Sequence, residues 1–183
     1  MKCLFTIHAG EFLVGDHLER NFKGVNLWAP SKDTGTDLLV TNAKNARSVS
    51  LQVKFSRDYL QTNLSSEFQS TLRAWGWWTL NRGQITRSKA DYWVFVLKGF
   101  EQKHIDFVII RPLDLIKRLD EIHGVMARTH VYLWVTKKDR CWETRDLKPD
   151  QKSRIAKGSH SDKIRDFSKY LNKWGTIEAL SRK

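Results

Sequence analysis

Between residues 37 and 55 the apolar positions settle into a period of two. Val49, Leu51, Val53 and Phe55 alternate with Ser48, Ser50, Gln52 and Lys54, the pattern of a strand with one buried face. Residues 37–41 predict a shorter strand before it, and 42–45 supply turn chemistry between the two. Upstream, residues 6–22 predict a helix, with Ile7, Val14, Leu18 and Phe22 in one stripe and Gly24 as its stop. Residues 25–29 read as a strand ended by Pro30. Downstream, residues 64–80 fit a second helix carrying Leu64, Phe68, Leu72 and Trp75 on one face. The unbroken apolar run within 91–100 predicts a strand buried on both sides, with 104–111 as its hairpin partner. Pro112, Leu113, Ile116 and Leu119, then Gly124, describe a third helix. Residues 131–135 predict another strand. A last helix is expected over 162–174, with Ile164, Phe167, Leu171 and Trp174 inward. This order predicts an α/β chain, a single domain over 1–183 with a central mixed β-sheet flanked by helices on both faces.

The antiparallel hairpin brings the start of its first strand near the end of its second, so Asp37 approaches Gln52 and Lys54. Gln52 and Lys54 are two apart and project the same way. A carboxylate, an amide oxygen and an ammonium gathered there suit a divalent metal beside a phosphate. Glu11 falls within the apolar stripe of the first helix, where an unpaired carboxylate would be costly. Its plain reading is a salt bridge or a carboxylate at the rim of the core.

The charge adds a partner class. The chain of 183 residues has a formal net charge of +12, which predicts attraction to polyanions. No run is long enough to span a bilayer and no signal-peptide layout follows Met1, so anionic membrane is not the expected partner. Cys3 and Cys141 make neither a disulfide framework nor a zinc site, and a reduced, cytoplasmic protein is expected. Arg57, Arg82, Arg87 and Lys89 lie in stretches that read as loops. Lys137, Lys138, Lys148 and Lys152 lie in a basic stretch at about 137–160, read as a loop that tracks a nucleic-acid backbone. Trp75 and Trp78 share the buried face of the second helix, whereas Trp77 points elsewhere. These rings either cover the sheet or, for Trp77, stack on a base or wedge a duplex.

Asp37 followed by Gln52-Val53-Lys54 resembles the signature of the PD-(D/E)XK, or restriction-endonuclease-like, nuclease superfamily. Thr36 stands where that signature has Pro, and Gln52 where it has Asp or Glu. The resemblance covers roughly residues 6–111 and implies a restriction-endonuclease-like core. It implies a metal-dependent DNA endonuclease of the restriction, repair or junction-resolving kind, using magnesium or manganese. Asp37, Gln52, the Val53 carbonyl and Glu11 are then the expected metal-site residues. Lys54 orients or deprotonates the attacking water, or neutralises the phosphate. Asp58 and Asp91 are the next acidic residues to consider. Double-strand cleavage would favour a homodimer. Two alternatives stay open: a DNA-binding module of the same fold without turnover, and a basic interaction protein whose Asp37, Gln52 and Lys54 decorate a sheet face.

Overall fold

The computed structural model describes residues 8–31, 35–56, 66–99 and 104–182. Helix α1 (Ala9–Asn21) is followed by β1 (Val25–Trp28), β2 (Leu38–Asn42) and β3 (Ser48–Phe55). Residues 6 and 7, part of the first helix expected from the sequence, lie outside the described residues. In the β2–β3 turn Asn42 Oδ1 accepts from the backbone N–H of Ala46 at 2.9 Å and of Arg47 at 3.1 Å. That is the local bonding for which Asn is favoured at turns. The register pairs Leu38 with Leu51 and Val40 with Val49, so both strands turn their large apolar residues to one side.

Strands β5 (Tyr92–Lys98) and β6 (Ile105–Ile110) complete a five-stranded sheet of order β1-β2-β3-β5-β6. Only the β3–β5 pairing is parallel, so the sheet is mixed. One face buries Val40, Leu51, Val53, Val94, Val96 and Phe107 against Val14 and Leu18 of α1 and Ile177 and Leu180 of α6 (Gly175–Ser181). At Gly10 a Cβ would lie 2.7 Å from the Phe55 Cβ and 3.2 Å from Val53 Cγ1. The bare backbone lets the first turn of α1 cross the end of β3 this closely.

The other face corrects the expectation of helices on both sides. It packs on a second sheet, of order β4-β7-β8, built from β4 (Leu72–Asn81), β7 (Arg128–Thr136) and β8 (Cys141–Glu143). Trp93, Phe95, Leu97, Val108 and Ile110 meet Ala74, Trp78, Leu80, Val131, Leu133 and Val135 across that interface. The short α3 (Arg82–Thr86) and α4 (Pro112–His123) close the same core through Ile85, Leu115 and Leu119.

The expected second helix is therefore mostly a strand. Only α2 (Ser66–Thr71) is helical, and the chain then extends as β4; residues 64 and 65 lie outside the described residues. Ala74, Gly76, Trp78 and Leu80 alternate inward, while Leu72, before a bulge, is buried with Trp134, Trp142 and Ile155 instead; the aromatic residues of the strand suit a pleated surface. Leu72 fits both a helical and a period-two reading. Antiparallel pairing with β7 from Leu72–Thr136 to Asn81–Arg128 decides between them. The Trp assignment changes with it: Trp78 is in the core, edge-on to Phe95, while Trp75 and Trp77 share the opposite face.

The basic stretch at 137–160 is not a loop either, since it holds β8 and α5 (Pro149–Lys157). Nor do residues 162–174 form a helix. Their backbone closes sheet edges: Leu171 bridges to Val108 and Asp166 to Trp142, and Phe167 N–H donates to Cys141 O at 2.8 Å. Covering open strand edges uses the polar groups a helix would have paired internally. A single 3-10 turn, Ser168–Tyr170, is what remains of the helix.

Two buried carboxylates fix this arrangement. Asp106 receives both Nε and Nη2 of Arg73, at 3.0 and 2.8 Å, and the Asn172 amide at 2.8 Å. Glu143 receives Arg165 at 2.6 Å and the backbone N–H groups of Tyr132 and Arg145. Among the described residues no helix is long and apolar enough to cross a membrane.

Candidate metal and phosphate site

The hairpin delivers Asp37 where its alternation predicts. Asp37 stands one residue before β2, its N–H donating to Leu51 O at 2.8 Å. Its Oδ2 accepts from Val53 N–H at 2.6 Å and from Gln52 Nε2 at 2.5 Å. The carboxylate thus stitches the mouth of the hairpin and holds Gln52 against itself. Gln52 and Lys54 project from the face of β3 opposite Val53, towards the second sheet. Lys54 Nζ lies 5.0 Å from the ring centre of Trp93, a cation–π distance. The ring is itself held, because Trp93 Nε1 donates to Ser88 Oγ at 2.9 Å.

Two further residues bear on this end of the sheet. Ser56, directly after β3, accepts from Trp77 N–H at 3.0 Å and donates back to Trp77 O at 3.4 Å. A Cβ on Gly76 would meet Ser56 Cβ at 3.0 Å and Trp78 Cη2 at 2.5 Å, so the close approach needs glycine. The second sheet is thereby fastened beside Lys54 through the Trp77 backbone, with the Trp77 ring on the far face of that sheet. The Trp77 ring lies 6.4 Å from Tyr132 and 6.5 Å from His130. Asp91, just before β5, accepts from both Ser50 N–H and Ser50 Oγ at 2.8 Å. It flanks β3 on the side away from Asp37. Pairing between β3 and β5 is long-range, so no local pattern could have shown Trp93 beside Lys54.

Glu11 is in the first turn of α1, whose neighbour Gly10 packs on Val53 and Phe55. Its Oε2 accepts from His8 N–H at 3.1 Å, satisfying an exposed helix N-terminal donor as the third residue of a capping box does. The expected phosphate contacts divide. Arg82 is committed to Asp120 of α4 at 2.6 Å, which removes it from a plain phosphate-binding role. Arg87, Lys89, Lys137, Lys138 and Lys148 are exposed. Lys152 rests 5.8 Å from the Trp134 ring centre, on the α5 side of the second sheet. Arg57 and Asp58 lie outside the described residues.

Among the described residues no group of three or more His, Cys, Asp or Glu side chains is arranged to hold a metal ion. The Asp37 carboxylate and the Gln52 amide oxygen are nevertheless hard donors of the class magnesium and manganese take. In this structure the Gln52 nitrogen meets Asp37, so the two oxygens form a donor set for such a cation only with the amide turned over. With only Asp37 charged, it is a weakly anionic set.

Fold and site together define an α/β domain with a carboxylate, an amide and a lysine at one hairpin mouth. Comparison of the chain with protein-family models, with curated proteins and with solved structures finds no match.

Proposed function

We propose that the protein is a metal-dependent DNA endonuclease of the PD-(D/E)XK kind, hydrolysing phosphodiester bonds at the Asp37–Gln52–Lys54 hairpin. The observation that carries this is the contact of Asp37 with Gln52 at 2.5 Å and with the backbone of Val53, with Lys54 on the same face of β3 as Gln52. Asp37, Gln52 and the Val53 carbonyl would hold magnesium or manganese, with Glu11 supporting from α1. The ion, when bound, supplies Lewis acidity at the phosphoryl group. Lys54, steadied beside Trp93, places its ammonium against the scissile phosphate, neutralises its charge and orients the attacking water. The Trp77 backbone fastens β4 to Ser56, while its ring lies with Tyr132 and His130 on the face of the second sheet turned away from the hairpin and has no part in this site. The exposed lysines and arginines, in a chain of net charge +12, provide affinity independent of sequence through counterion release. Two copies acting together would cut both strands.

A second reading has its own observation. The Gln52 nitrogen donates to Asp37, so the carboxylate is satisfied from within, as in a DNA-binding module of this fold without turnover. Supercoiled plasmid incubated with the purified chain separates the two. Nicked or linear product only with magnesium or manganese supports the nuclease. Salt-sensitive binding with no product under either metal supports the module. Neither product nor binding removes both.

A further inference from the structure

The turn between β7 and β8 and the C-terminal end of α5 line a half-open cavity of about 300 Å³ on the second sheet, at the lower end of the range of small-molecule sites. Lys138 and Arg140 bring positive charge to it, Thr136 brings a hydroxyl, and Trp142 and Ile155 form apolar wall. The Lys138 ammonium lies over Gly158, 3.7 Å from where a Cβ on that residue would sit. The Arg140 guanidinium stands over the Trp142 ring at 5.3 Å, and its Nη2 donates to Asp166 at 2.5 Å. A guanidinium carries five N–H donors in a fork that matches phosphate oxygens, and that ion pair sets the orientation of the fork.

His160 lines the same cavity edge-on to Trp142, with ring centres 4.9 Å apart, and its buried Nε2 has no hydrogen-bond partner. Burial lowers its pKa, Arg154 and Arg165 add to the lowering, and Asp162 opposes it. The carbonyls at the end of α5 do not face the cavity bare. Gly158 N–H bonds Ile155 O at 3.0 Å, and Ser159 N–H bonds Arg154 O at 2.9 Å. Arg140 shares its charge with Asp166 through Nη2, which leaves its other N–H groups and the Lys138 ammonium as donors to a phosphate. A terminal phosphate, with chain on one side only, enters such a cavity more readily than a diester with chain on both.

We infer that this cavity binds a phosphate monoester, gripped by Lys138 and Arg140 with its organic part against Trp142 and Ile155. The group comes from a free nucleotide or from the 5′-phosphorylated end of a DNA strand, and the inference is independent of the chemistry at Asp37. The test is calorimetric titration of the full chain with adenosine monophosphate, and with one oligonucleotide carrying either a 5′-phosphate or a 5′-hydroxyl. Saturable nucleotide binding, weakened at least tenfold in Lys138→Glu and in Arg140→Gln, identifies the free nucleotide. A 5′-phosphate preference of at least tenfold, lost in the same variants, identifies the strand end. Melting curves confirm folding of both variants, and the exposed Lys138 carries the test if Arg140→Gln unfolds by losing Asp166. The inference is overturned if neither probe binds, if the two oligonucleotides bind alike and the nucleotide not at all, or if Lys138→Glu binds like the parent. An Asp37→Asn chain should retain the binding whether or not the nuclease reading holds.

Discussion

Replacing Asp37 tests the hairpin mouth as structure and as chemistry, because two substitutions separate the roles. Asp37→Ala removes the acceptor of Val53 N–H and of Gln52 Nε2. Each donor left unsatisfied costs about 1–3 kcal/mol, and the half-buried position places both near the lower figure, about 2 kcal/mol together. For a domain of this size that lowers Tm by about 4–8 °C. Asp37→Asn keeps an oxygen for Val53 N–H, and Gln52 can turn its own oxygen to the new amide nitrogen, so Tm should fall by less than about 4 °C. The asparagine nonetheless removes the charge that anchors the cation. Cleavage by Asp37→Asn should fall at least a hundredfold, about 2.7 kcal/mol of transition-state stabilisation. The assays are differential scanning fluorimetry and plasmid nicking across magnesium and manganese concentrations. If Asp37→Asn cuts like the parent with the same metal requirement, Asp37 holds no catalytic ion, and Asp91 becomes the next carboxylate to examine. If Asp37→Ala melts with the parent, the two hydrogen bonds do not hold the hairpin.

Lys54→Ala should slow nicking about a hundredfold while binding to DNA at low salt persists in a filter or gel-shift assay. Gln52→Glu sets a second carboxylate against Asp37; its Tm should drop without metal and rise with magnesium more than the parent's, and an unchanged response to magnesium would exclude an ion between the two. Arg73→Met leaves Asp106 buried without its main cation and should cost about 3–5 kcal/mol in urea denaturation; a loss under 1 kcal/mol would show that Asn172 and His104, whose Nε2 lies 3.3 Å from Asp106, suffice. His17 packs on Trp174 and Phe107, and burial lowers its pKa against the opposing pull of Asp16. The unfolded chain therefore takes up the proton first, and stability falls as pH drops below the ordinary histidine value of about 6.5. His17→Phe should flatten that slope between pH 7.5 and 5, leaving the part due to His160; an unchanged slope would assign the loss to other groups.

The hairpin was legible in the sequence because its determinants are local. Alternation from Val49 to Phe55 sets which side chains share a face, and the turn is made by the Asn42 side chain and by Asn45 in a left-handed backbone conformation. Asp37 then meets Gln52 by register alone. Helices α1 and α4 were legible for the same reason, each having a stripe and a stop within its own span. The second sheet was not. The run from Leu72 to Asn81 becomes strand only because β7, far along the chain, offers it a partner. Residues 162–174 carry a helical stripe, yet their backbone is taken by the open edges of β6 and β8, which no local pattern announces. Charge behaved likewise. A net +12 is a property of composition, but the burial of Arg73 with Asp106, the commitment of Arg82 to Asp120 and the meeting of Lys138 and Arg140 at one cavity are set by tertiary contact. Periodicity specifies which side of an element is apolar; what lies against that side depends on the free energy of long-range pairing and packing, which single-chain patterns do not encode.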